Sequence, residues 1–72
     1  MSRKICECKA GKNVIIETMN LDAASTKRLN DMGVYPGAMV EVVNNQQGRM
    51  VVGAGELRVI LEHTVSDKIT VS

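Results

Sequence analysis

The stretch Leu29-Asn30-Asp31-Met32-Gly33-Val34-Tyr35-Pro36-Gly37-Ala38-Met39-Val40-Glu41-Val42-Val43 holds a helix end, a reversal and the start of a strand. Gly33 follows a short helical pattern and can take the left-handed conformation that closes a helix, which costs a residue with a Cβ about 1–2 kcal/mol. The helix is therefore expected to stop at Met32. In a Schellman ending the residue after the glycine packs on the third residue from the helix end, which pairs Val34 with Leu29. Both are apolar, as that geometry requires. Pro36 supplies the fixed φ of the first central position of a β-turn, and Gly37 the positive φ that a type II turn needs at the second. Residues 35–38 thus read as a turn, and from Ala38 the β-branched Val40, Val42 and Val43 favour an extended strand running over 38–43.

Upstream of this stretch, Asp22 and Ser25 can each accept from the unpaired N–H groups of a first helical turn, so either can cap the helix. Leu21, Ser25, Arg28 or Leu29, and Met32 follow the spacing of one helical face. Before them, Val14 and Ile16, with Thr18 at the end of the same face, alternate with Ile15, Glu17 and Met19, the pattern of a first long strand with one buried face. Ile5 and Cys8 are the first inward-facing positions, and Gly11 marks a turn with Lys12 and Asn13. Downstream, the polar run 44–48 reads as a hairpin loop and residues 49–53 as a returning strand. A tight reversal at 53–55 leads into a strand over 56–61 with Leu57, Val59 and Leu61 inward. One helical turn within 62–68, anchored by Val65, precedes a last strand over 69–71. Five to six short strands separated by glycine turns make a mainly β fold, a small closed or nearly closed barrel. Its one short helix follows the first long strand and either plugs one end or lies across the side.

The chain has 72 residues, expected to form one domain over 1–72 near the lower size limit for independent folding. A core this small seldom supplies more than about 3–5 kcal/mol, so binding to a partner is thermodynamically useful. Nine basic and eight acidic side chains leave it close to neutral, and Tyr35 is the sole aromatic. Both facts count against a general nucleic-acid binder, which needs positive charge and stacking platforms. Arg3, Lys4, Lys9 and Lys12 form a mild basic cluster, diluted by Glu7, that reads as a solvated face. No apolar run reaches the ~18–20 residues of a membrane span and no signal segment opens the chain, so a cytoplasmic location is expected.

The spacing Ile5, Cys8, Gly11, Ile16, Met19, then Arg28-Leu29-x-x-Met32-Gly33-Val34-x-Pro36-Gly37-x-x-Val40, then Gly48-x-Met50-Val51-Val52, Leu57-x-Val59 and Ile69-x-Val71, resembles the FeoA family of bacterial ferrous-iron uptake. The likeness spans nearly the whole chain and is most specific at Arg28–Gly37. It implies an SH3-like β-barrel with a helical insertion, and as partner a membrane ferrous-iron permease with a cytosolic G-domain, whose Fe²⁺ transport the small protein supports. The same module ends some metal-dependent repressors, but with no helix-turn-helix ahead of it the stand-alone role fits better. Cys8 departs from the family pattern, which has a larger aliphatic residue there, and Cys6 is an addition. The pattern transfers no metal-ligand role to either.

No catalytic constellation or phosphate loop is present, so the chain is expected to be non-enzymatic and to carry no cofactor. Cys6, Cys8 and His63 are the soft side chains that could hold Fe²⁺ or Zn²⁺, against the reading of Cys8 as a small core residue and His63 as a surface one. The implied G-domain makes Arg28, Arg49 and Arg58 candidates for an arginine finger, beside the reading of each as a solvated side chain. Docking is the favoured mechanism. Met19, Met32, Met39 and Met50 can fill core or line a groove. Met32, Val34, Tyr35 and Met50 are the expected partner-facing set, with Tyr35 beside a rigid Pro-Gly turn as its anchor. Self-association is left open, and the competing functional class is a free-standing SH3-like or Sm-like nucleic-acid-binding module.

Overall fold

The computed structural model describes residues 3–72. Six strands form one antiparallel sheet in the order β1-β6-β2-β3-β4-β5. They are β1 (Arg3–Lys4), β2 (Asn13–Met19), β3 (Met39–Gln46), β4 (Arg49–Ala54), β5 (Leu57–Leu61) and β6 (Ile69–Val71). A 3-10 turn (Ile5–Glu7) follows β1, the helix α1 (Ala23–Asp31) follows β2, and the single-turn helix α2 (His63–Ser66) precedes β6.

Two bulges roll this sheet. On β2 the register slips at Glu17, between the Ile16–Val71 and Thr18–Thr70 pairs, so the first half of β2 ladders with β3 and the second half with β6. On β3 it slips at Val43, between Val42–Val52 and Asn44–Val51. An extra residue bends the strand and increases its twist, which turns a flat meander into a barrel wall. Among the described residues no ladder joins β5 to β1. α2 packs against both β4 and the 3-10 turn. The alternating inward residues Val14, Ile16, Val40, Val42, Val52 and Val59 are all buried.

The helix exit has the expected geometry. Asp22 is the N-cap, its carboxylate accepting from the Ser25 N–H at 3.2 Å. At the other end Val34 N–H donates to Leu29 O at 2.9 Å and Gly33 N–H to Asn30 O at 3.1 Å, with Gly33 at φ 91°. This is the Schellman pair of bonds, and it puts Val34 and Leu29 into the core. Ala38 N–H then closes the 35–38 turn on Tyr35 O at 3.0 Å, with Gly37 at φ 93°.

Two boundaries and one facing differ from expectation. The polar run 44–48 is strand up to Gln46, and only Gln47 and Gly48 turn, both at positive φ (57° and 95°) as a type I′ hairpin demands. The Val43 bulge reverses the facing of the residues beyond it, so Asn45 points inward. Its amide donates to Cys6 O (3.0 Å) and Cys8 O (2.7 Å), while its Oδ1 accepts from Gly48 N–H (2.9 Å). A polar residue thereby behaves as a core strand residue, because every bond it needs is supplied. Gly53 lies within β4, and the second reversal is Gly55-Glu56. Leu57, expected inward, is half exposed because it starts β5 beside that turn, beyond the barrel interior.

Candidate functional site

The rigid turn at 35–38 holds Tyr35 at the surface, 48% exposed. Of the other residues expected to face a partner, Met32 is half buried against the core. Val34 and Met50, expected to face a partner, are instead fully buried. Val34 is the apolar half of the Schellman contact, and Met50 lies opposite Leu61 on the inward face of β4. Flanking a turn does not expose them, because strand alternation and the helix exit aim both side chains inward. Of the large apolar side chains outside the expected set, Met39 at 64% and Ile60 at 59% stand furthest out. Each is the outward neighbour of buried residues in its strand, a facing the period-2 pattern already contains.

α1 lies beside β5 and α2 across a cleft of about 170 Å³. Leu29 and Met32 form one wall, Ile60 and Val65 the other, and Arg28 and Glu62 stand at its mouth. Arg49 Nε lies 3.3 Å from the Glu62 carboxylate. Arg58 donates to Leu57 O at 3.4 Å and lies over the backbone of Gly53, where a Cβ would come within 3.0 Å of its guanidinium. Arg49 is thus paired with the residue that caps α2, and Arg58 is engaged on its own sheet. Among the described residues Arg28 makes no ion pair, so of the three it has the guanidinium that is not engaged.

The soft side chains do not converge. Among the described residues no three His, Cys, Asp or Glu side chains are grouped so as to hold a metal ion. Cys8 is buried with its Sγ 3.8 Å from Lys4 O, whereas Cys6 is half buried. Desolvation, with Asp67 and Glu7 nearby, pushes the Cys6 thiol up, so it stays protonated at neutral pH and is a poor nucleophile. His63 packs its ring against Gly48. In the N-terminal basic cluster, Lys4 is paired with Asp67 at 2.9 Å. No helix among the described residues is long and apolar enough to cross a membrane.

The FeoA domain family model matches residues 3–72. The chain belongs to the FeoA family. Solved structures share its fold. A crystal structure of an iron uptake regulatory protein (FeoA) superposes with a TM-score of 0.86 at 21% identity, over 99% of this chain and 96% of that one. The solution structure of the FeoA protein from Chlorobium tepidum gives 0.85 at 23% identity, over 96% of this chain and 68% of that one. A manganese-dependent transcriptional repressor also gives 0.85, at 16% identity, over 97% of this chain and 40% of the repressor. Comparison with curated proteins gives no match. The SH3-like barrel expected of a FeoA domain is therefore the fold observed, with the 35–38 turn and the α1–β5 cleft as its candidate working surfaces.

Proposed function

We propose that residues 1–72 act as one non-enzymatic accessory module of ferrous-iron uptake, docking from the cytosolic side on a FeoB-type permease. Membership of the FeoA family over 3–72 is the observation that supports this reading. The surface chemistry agrees with it. A partner surface needs a few exposed apolar anchors on a rigid frame, and Tyr35 on its Pro-Gly turn has that character. Near-neutral charge and one aromatic residue leave little with which to hold nucleic acid.

Docking acts through shape and affinity, so the chain itself makes and breaks no bond. Fe²⁺ is the cargo of the permease and is not held by this protein. The test is Fe²⁺ uptake in cells lacking the chain and its own permease, supplied with the permease alone, with the permease and the chain, or with the permease and Tyr35→Ala. Uptake should rise with the wild-type chain and fall back with Tyr35→Ala, whose circular dichroism should match wild type because the ring is half exposed. Equal uptake in all three would overturn the proposal.

A further inference from the structure

We infer that the cleft between α1 and β5 receives an extended, acidic segment of the permease's cytosolic part, inserting one apolar side chain and presenting a carboxylate to Arg28. The inference rests on the docking reading above and assigns that docking to a particular surface. Three observations select this occupant. The cleft is about 170 Å³, below the ~300–1,000 Å³ of pockets that enclose a drug-sized ligand, so it suits a single aliphatic side chain between Leu29, Met32, Ile60 and Val65. It runs beside β5, the last strand of the sheet order, whose outer edge has no ladder partner among the described residues. Backbone groups on such an edge are satisfied by an extended chain.

Charge then fixes the sign of the visitor. Of the two ionised groups at the mouth, Glu62 is already offset by Arg49 on β4. Arg28 forms no ion pair among the described residues, and Asp22, the carboxylate within Coulombic reach of it, is held by its bond to the Ser25 N–H, so the Arg28 guanidinium is open to an incoming carboxylate. A carboxylate meets that charge with bidentate hydrogen bonds, while a basic segment would be repelled. Ile60 supplies the apolar contact from the opposite wall, and at 59% exposed it stands to gain most from being covered.

The test measures affinity of the purified permease cytosolic domain, and of the full permease in detergent, for wild type and three surface variants. Arg28→Glu and Ile60→Ser should each weaken binding by about tenfold or more, as truncation of an interface anchor does. Arg28→Gln should fall between them and wild type. Arg58→Glu makes the same change of net charge outside the cleft and should bind as wild type. Added salt should weaken wild type more than Arg28→Gln. If wild type binds and the Arg28 and Ile60 variants bind equally well, the permease uses another surface and this inference fails alone. Should wild type bind neither preparation, the docking reading and the inference fail together. A loss of GTP turnover in Arg28→Glu without loss of affinity would replace the cleft contact by an arginine finger.

Discussion

At Gly33 and Gly37 the backbone makes nearly the same demand, φ 91° and 93°, yet the two sites differ in surroundings. A Cβ on Gly37 meets nothing within 4 Å, while one on Gly33 would lie 3.3 Å from the Cβ of Ala54. Gly37→Ala should therefore cost only the left-handed strain of about 1–2 kcal/mol. Gly33→Ala should cost more, because it also presses α1 off β4. Urea unfolding midpoints of the two variants check the order, and equal losses would show that the helix exit does not bear on the barrel. Asp22 offers a pH test. Its bonds to Ser25 hold its carboxyl below the usual carboxylate range. A carboxyl lowered on folding stabilises above its unfolded value of about 3.9, and that stability is lost as pH falls through the folded value. Wild type should thus be more stable than Asp22→Ala at pH 7, and their thermal midpoints should converge below about pH 4. Sequence leaves Asp22 and Ser25 equal as caps, since either oxygen can reach a first turn, and only the backbone path of residues 20–22 separates them. Ser66 is not legible at all. It sits in a polar stretch, yet is fully buried with its hydroxyl donating to Gly48 O.

Among the elements, the hairpin of β3 and β4 shows where pattern reading stops. Valine density announces the start of β3, but its last residues are polar and resemble a loop. They are kept extended by the 3-10 turn and the residue that ends it, whose carbonyls at Cys6 and Cys8 are served by Asn45. Such a partner lies far off in sequence and leaves no local signal. Asn45→Ala should remove all three bonds, lower stability by about 1–3 kcal/mol, and raise hydrogen exchange at Gly48. Asn45→Asp should be no rescue, because a carboxylate cannot donate to the two carbonyls. An unchanged unfolding midpoint would mean that the hairpin holds itself. The Schellman exit and the type II turn are fully legible because glycine and proline encode them locally. β1 is not, since two charged residues carry no alternation. Val34 reads in sequence both as a core partner of Leu29 and as a surface contact, and packing admits only the first.

For the whole molecule, a rolled sheet of small aliphatic residues leaves little surface that invites contact. The most exposed apolar side chains are Met39, Ile60, Leu57 and the ring of Tyr35, beside the cleft bounded by α1. The barrel and its family can be read from glycine spacing and one specific motif. The cleft cannot, because it joins residues of α1, β5 and α2 that no local pattern relates. The near balance of charge predicts that RNA binding, if measured at low salt, is weak and vanishes steeply as salt rises. The most direct test of docking is co-purification of the tagged wild-type chain with the full-length permease, with and without a GTP analogue and Fe²⁺. A stoichiometric complex in at least one of these states is the predicted result. Absence of any complex in all of them, with both proteins folded, would contradict it.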